Sequence, residues 1–470
     1  SGSLVRSSAA RSRIEVQGIQ MSDTSHDEMI AWLNDQSVTE VECLVSDIAG
    51  IPRGKILPVH KFIGAAAGQG LRLPEYVFGQ SVTGAFLDSE VLNEIGRDVI
   101  LRPDAATCRL VPWYNEPTAQ IIHDAFDHDG KIIEFTPRAV LKRVLALFED
   151  AGLRPIVAPE LEFFLVQRSS DANNPLITPS GRSGRAEKAR QAYGIDAVNE
   201  FDPLFEDIYD HCDVQKIDID TLSHEAGAAQ MEINFNHGEA LDLADQAFLF
   251  KRTVRQTSLD HDIHATFMAK PMQEQPGSAM HLHLSVVDMK SGRNIFVDKD
   301  NSESDAFYHA LAGMQRYLVA AMPLMAPYVN SYRRQSNSED SPTNLAWGMD
   351  NRTVGLRVPM GDPANRRIEN RIPGADANPY LAMAASLAAL WLGLQEQRRP
   401  TRQRKDSGED LATLPRNLDI ALDALERTSP LHDVLGESFV KLFIEVKRGE
   451  AEAFLEVISP WEREYLLLNV

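Results

Sequence analysis

The sequence predicts an α+β fold in two units, a small β-rich unit over 21–130 and a larger one over 131–470. Three observations predict it. The stretch Val38 to Pro58 reads as two strands joined by a Gly/Pro turn. A helical pattern opening at Thr136-Pro137 leads straight into a strand candidate, Ile156 to Val166, which starts the second unit. A chain of 470 residues that is 43% hydrophobic can also bury the core of two or three structural units.

Ser1 to Gln20 are Ser- and Arg-rich with Glu15 as the single acid, and they hold no apolar stretch long enough for a secretory signal. They are expected to be an expression scar or disordered arm (1–20) ahead of Met21, with a transit peptide as the alternative. The β unit continues through Ile100 to Asp104 and Gln120 to Ile122, and closes on the polar turn Asp127 to Gly130. Val140, Leu141, Val144, Leu145 and Phe148 then fall at helical spacing, with Gly152 near the helix end. Ser169 to Arg185, rich in Ser, Asn, Pro, Gly and Arg, predicts an exposed loop. Further helices are predicted over Gly238 to Ser258, Ser304 to Ala326, Asn378 to Gln397 and Asn417 to Arg427. Arg398 to Asp410, interrupted by Pro400, predicts a surface loop.

A formal net charge of -21 repels nucleic acid and anionic lipid, so neither is an expected partner. Cys43, Cys108 and Cys212 are too few and too scattered for a disulfide framework or a Cys-based zinc site, and a reducing, cytoplasmic setting fits them best. The most apolar run, Tyr380 to Leu394, is shorter than the roughly 18 to 20 residues that span a bilayer, and predicts a buried helix.

Four motifs carry chemistry. In an extended Ile156 to Val166, Glu160 and Glu162 face one side, and adjacent acids on an apolar strand repel unless a cation sits beside them. His281 and His283 alternate likewise after the small-residue turn Pro276 to Ala279. One His among hard oxygen ligands suits Mg²⁺ or Mn²⁺ better than zinc. Glu225 and Glu232 flank small residues that permit a turn bringing both acids to one point. Arg367, Glu369 and Arg371 share a strand face, and Arg forks beside an acid suit phosphate and carboxylate, with Arg334, Arg352 and Arg357 upstream. Taken singly, each motif also fits solvated surface charge.

Together they resemble the glutamine synthetase family, in its bacterial class. The resemblance runs from about Val38 to the carboxy terminus, through Pro159 to Leu165, Gly277 to Leu284, Asn351 to Pro359 and Arg366 to Arg371 followed by Asn378-Pro-Tyr-Leu381. It implies an amino-terminal β-grasp domain and a catalytic domain with a curved antiparallel sheet flanked by helices. It also implies a homo-oligomer, expected as a dodecamer of stacked rings, with active sites shared between neighbouring subunits. Carried over by motif, Glu162, Glu225 and Glu232 would hold one metal, and Glu160, His281 and Glu369 a second. Gly277, Arg334 and Arg371 would meet glutamate or the transferring phosphoryl group. His283, Ser285, Arg352, Arg357 and Arg367 would meet ATP. The implied reaction converts the glutamate γ-carboxylate to an acyl phosphate, which an amine then attacks.

The departures bear on the amine. Ammonia-using members carry an Asp where this chain reads Phe78-Gly79-Gln80-Ser81, so Gly79 is expected to open room for a longer nucleophile. Pro276 replaces an Asn expected before Gly277. The flap acid falls on Asp340 or its neighbour Glu339, as proton acceptor. These features, with Thr343 to Gly348, resemble the γ-glutamylpolyamine synthetase branch, and Glu75, Asp88 or Glu90 could pair with the second amine of putrescine or spermidine. Ammonia-using glutamine synthetase, a monoamine ligase and a catalytically silent oligomer are the alternatives.

Overall fold

The computed structural model describes residues 26–67, 70–87, 89–92, 96–169, 171–336, 341–404 and 413–470, so the arm expected over 1–20 lies outside the described residues. A first sheet contains β1 (Glu40–Ser46), β2 (Pro52–Pro58), β3 (Leu71–Pro74), β4 (Asp98–Pro103), β5 (Arg109–Leu110) and β6 (Thr118–Phe126). Its order is β2-β1-β6-β4-β3, with β5 added against β6 and β1 parallel to β6. The predicted turn between β1 and β2 is set by Asp47, whose carboxylate accepts from Ile51 N–H and from Arg53 Nε, both at 2.8 Å. Two helices not expected from the sequence, α1 (His26–Asp35) and α2 (Val59–Ala67), cover one face. Met29, Leu33 and Phe62 bury there against Val41, Cys43, Ala119 and Ile121. Strand alternation sends Leu44 and Ile122 to the opposite face and into the main core.

The second sheet has nine strands: β7 (Leu153–Gln167), β8 (Ile219–His224), β9 (Gln230–Phe235), β10 (Gly238–Glu239), β11 (Ile263–Thr266), β12 (Met280–Asp288), β13 (Trp347–Met349), β14 (Leu356–Val358) and β15 (Ile368–Asn370). Its order is β13-β14-β15-β12-β7-β9-β8, with β10 and β11 also paired to β7. All these pairings are antiparallel except β13 with β14.

The helices of this part are α3 (Pro137–Asp150), α4 (Ile195–Asn199), α5 (Asp202–Gln215), α6 (Ala240–Asp260), α7 (Asp305–Ala321), α8 (Val329–Gln335), α9 (Pro379–Glu396), α10 (Leu418–Glu426), α11 (Ser429–Leu435), α12 (Glu437–Leu455) and α13 (Pro460–Leu466). The helix expected over Ser304 to Ala326 stops at Ala321 and tightens into a 3₁₀ turn, Met322–Leu324, because Pro323 has no N–H to continue the ladder. The apolar run Tyr380 to Leu394 lies inside α9, and no helix among the described residues is long and apolar enough to cross a membrane. α7 and α9 approach so closely that a Cβ on Gly313 would stand 2.4 Å from the Gly393 backbone N.

Leu161, Phe163 and Leu165 of β7 join the core shared with α3, α6 and α9, and alternation therefore turns Glu160 and Glu162 to the other face. A buried charge network fixes the first sheet to this layer. Arg138 of α3 binds Asp104, Asp124 and Asp245 at 2.7 to 3.0 Å, and the Tyr380 hydroxyl donates to Asp245 at 2.6 Å.

Candidate active site

The open face of the second sheet carries the site as one row of cross-strand partners. Glu162 on β7 stands directly opposite Glu232 on β9, and Glu160 stands between Asn234 on β9 and His281 on β12. His283 on β12 faces Glu369 on β15, which in turn faces Arg357 on β14. Glu225 joins from the turn between β8 and β9, and a cleft of about 630 Å³ opens over the row.

Every N–H in the 226–229 turn is held by a side chain. Ala226 N donates to Glu225 Oε2, Gly227 N to Gln230 Oε1, Ala228 N to Gln275 Oε1 and Ala229 N to Glu187 Oε2, at 2.8 to 3.2 Å. Gln230 reaches onward, donating to Glu162 Oε2 at 3.2 Å and to the Gly277 carbonyl at 3.0 Å. The small residues between Glu225 and Glu232 thus make the turn the sequence allowed.

The charges divide into two groups. Burial works to raise the Glu160 carboxyl, but hydrogen bonds with His281 and His283 overcome it and hold it well below the usual carboxylate range. At Glu369 burial is likewise outweighed, here by His281 and Arg371. Burial and then the Glu225 charge push Glu162 up to about 8. Burial, with repulsion from Glu160, Glu162 and Glu225, pushes Glu232 up to about 10. Burial raises Glu225 too. Like charges directly opposite on neighbouring strands are unfavourable, and a divalent cation among them removes that repulsion.

The donor sets suit such an ion. Ligating atoms lie within 4.8 Å of one another in three groups: Glu162, Glu225 and Glu232; Glu160, Glu232 and His281; and Glu160, His283 and Glu369. Carboxylate oxygens with a single imidazole match a hard divalent ion such as Mg²⁺ or Mn²⁺. The first group is the trio expected from the sequence. The residues of the second expected trio also gather, with His281 Nδ1 3.4 Å from Glu160 and 4.0 Å from Glu369, and His283 joins them. His283, expected on the nucleotide, also bonds Glu160. Arg367 Nε donates to His283 Nδ1 at 3.0 Å, so the proton sits on Nε2 and donates to Glu160 Oε1 at 2.8 Å.

Other expected residues sort by position. Arg352, Arg357 and Arg371 line the cleft, and both Arg357 and Arg371 bind Glu369, which is fully buried beneath them. Arg334 is not among the described residues lining the cleft, although it packs against Gly277, which is. It is 4% exposed and donates to the carbonyls of Ile372 at 2.8 Å and Arg371 at 3.1 Å, so it braces the strand end that presents Arg371. Gly277 does line the cleft, and a Cβ there would stand 2.4 Å from Arg334 Cγ, so only glycine lets this backbone approach. Ser285 pairs with Ile156 further along β12 and is not among the described residues lining the cleft.

Glu339, Asp340 and Asp88 lie outside the described residues. Gly79 lines no part of its own chain's cleft and opens no volume: a Cβ on it would meet Leu92 Cδ1 at 2.8 Å and Leu442 Cδ1 at 3.2 Å. Glu75 is buried in a two-point pair with Arg97, and Glu90 binds Lys441, so each already neutralises a cation of its own chain. Tyr193, which sequence reasoning missed, stands exposed at the cleft with φ +60°, a strained backbone for an aromatic residue.

Known proteins resemble this chain over most of its length. The model of the glutamine synthetase catalytic domain matches residues 134–466. The chain belongs to the glutamine synthetase family of ATP-dependent glutamate–amine ligases. It is 36% identical to a γ-glutamylputrescine synthetase of Escherichia coli, over 91% of this chain and 92% of that protein. It is 32% identical to a glutamine synthetase of Halobacterium salinarum (92% and 94% covered) and 30% identical to a glutamate–isopropylamine ligase of a Pseudomonas species (92% and 95% covered). Among solved structures it superposes on ligand-free GmaS with a TM-score of 0.81 at 26% identity, covering 93% of this chain and 99% of that one. Members of the family use ATP and divalent metals.

Proposed function

We propose that this family member joins an alkyl amine, a polyamine such as putrescine or spermidine, to the γ-carboxyl of glutamate. A γ-carboxylate oxygen attacks the terminal phosphorus of ATP and ADP leaves. The amine nitrogen then attacks the acyl carbon of the γ-glutamyl phosphate, phosphate departs, and the amine gives up a proton. The observation that carries the amine assignment is Phe78-Gly79-Gln80-Ser81, where the ammonium-binding acid is missing. Likeness to a γ-glutamylputrescine synthetase supports it.

In this reading Glu162, Glu225 and Glu232 hold one divalent ion, and Glu160 with His281, His283 and Glu369 provides the ligands of a second. Such ions supply Lewis-acid polarisation and charge neutralisation during phosphoryl transfer. Arg352, Arg357 and Arg371 take up charge on the phosphates, Gly277 lies against glutamate, and Arg367 orients His283. Glu339 or Asp340 receives the amine proton, and Tyr193 offers an aromatic face to an ammonium group at the mouth. The first sheet acts as a β-grasp domain that completes a neighbouring subunit's cleft, in a cytoplasmic homo-oligomer.

The test is phosphate release from ATP with glutamate and a panel of ammonium, putrescine, cadaverine, spermidine and monoamines. Turnover with diamines at concentrations where ammonium gives none supports the reading. Turnover with ammonium alone would make the chain a glutamine synthetase, and none with any amine would make it a silent member.

A further inference from the structure

We propose that Glu187, in the loop leading to α4 and outside every ligand group, is a positioning residue that fixes the Glu225 turn and the Tyr193 backbone at the mouth of the cleft. The inference rests on the ligase reading of this cleft. Glu187 is half-buried to buried, with its side chain 10% exposed, and its Oε2 accepts from two groups on either side of Glu225. One is Ala229 N at 2.8 Å and the other is His224 Nε2 at 3.0 Å. His224 Nδ1 in turn faces the Glu225 carbonyl at 2.7 Å, and the His224 carbonyl accepts from Tyr193 N at 2.9 Å. One carboxylate oxygen therefore ties the β8 end, the β9 start and the Tyr193 segment together.

Two of the tied residues sit where the backbone needs outside support. Ala229 has φ +55° and Tyr193 φ +60°, conformations that non-glycine residues keep only when neighbours hold them. The other amides of the turn are held by Gln230, Gln275 and Glu225 itself, so Glu187 is the contribution from outside the catalytic sheet and its adjoining turns. Among the described residues, Glu187 is bonded to no group at the arginine end. Its effect is accordingly confined to the ion held by Glu225 and to the amine.

The experiment uses the full chain and the variants Glu187→Ala and Glu187→Gln, with phosphate release measured while amine, Mg²⁺ and ATP are varied in turn. Loss of an outer partner of a ligand turn is expected to raise the half-saturating amine and Mg²⁺ concentrations about 10-fold in Glu187→Ala, with the KM for ATP within about twofold of the parent. Glu187→Gln keeps one acceptor oxygen and should fall between the two. Equal rises for all three ligands, or no rise for any, would overturn the proposal. Calorimetry of Mn²⁺ without amine or ATP repeats the test independently of the reaction, so it stands even if the amine is misassigned. An unchanged Mn²⁺ affinity in both variants would also sink the idea. If Glu187→Ala does not fold, the Gln variant decides by the same readouts.

Discussion

The two ends of the cleft are built from the same residue types and solve opposite electrostatic problems. At the end where Glu160 of β7 meets β12, β14 and β15, each acid has its own partners. Glu160 is bonded by His283 and Asn234, and Glu369 lies between Arg357 and Arg371. At the end formed by β7, β9 and the 225–229 turn, Glu162, Glu225 and Glu232 crowd together, and the partners of the turn are neutral amides or another acid. The first end is balanced within the protein, and the second is incomplete without a cation. A polar cluster's composition therefore does not give its role; the partner of each charge does.

That contrast can be broken in order of size. Replacing Glu369 by Ala removes an acid shared by two arginines, so single-turnover ATP cleavage should fall by about 1000-fold, as for loss of a key charge-stabilising group. The same change leaves Arg357 and Arg371 without their shared partner, and denaturant unfolding should register a loss of about 3 kcal/mol. Glu232→Gln should also abolish turnover, but with the opposite stability sign. Glu232 must take up a proton to fold at pH 7 and glutamine spares that uptake, so the change should stabilise the metal-free protein by about 1 kcal/mol. If both substitutions destabilise equally, the two ends are not different in kind.

The pH dependence follows from the raised groups. Glu162 and Glu232 have folded-state values of about 8 and about 10, above the ordinary 4.5, so the metal-free fold binds more protons than the unfolded chain. Their contribution to stability therefore falls as pH rises from the ordinary carboxylate range through 8, and a bound ion offsets that fall. Thermal unfolding with and without Mg²⁺ should show a Tm difference that widens from pH 5 to pH 8. A difference that narrows would reverse the assignment. The smallest effect is expected at Gly79, remote from both ends in its own chain. Gly79→Ala should cost about 1 kcal/mol by crowding the flexible end of Leu92, with amine preference unchanged.

The balanced end was largely legible in the sequence because it depends on alternation. Glu160 with Glu162, His281 with His283 and Arg367 with Glu369 and Arg371 are each two apart, and a strand puts such residues on one face. What alternation cannot give is which strands adjoin. That Glu160 and Glu369 stand beside His283 across the sheet is therefore not visible in the sequence. Nor does the Arg-rich segment around Arg334 reveal that its fork closes on backbone carbonyls. Gly79 illustrates the converse, since a missing side chain suggests space only until Leu442 of the distant α12 arrives to fill it. Tyr193 and Glu187 gave no signal, lying after an irregular polar loop whose path is set by contacts far along the chain. α5 and α12 carry apolar residues at helical spacing, with Leu204, Phe205, Ile208 and Cys212 in one and Phe439, Val440, Phe443 and Val446 in the other, so both helices are legible in the sequence.

The most direct test is the proton count on metal binding. Titrating the full chain with Mn²⁺ at pH 7, in buffers of different ionisation enthalpy, measures how many protons leave as the ion enters. Because Glu162 and Glu232 are held protonated until a cation arrives, the account predicts release of more than about one proton per chain, falling in Glu232→Gln. Binding with no proton release would show that the crowded end is already ionised and would contradict the account.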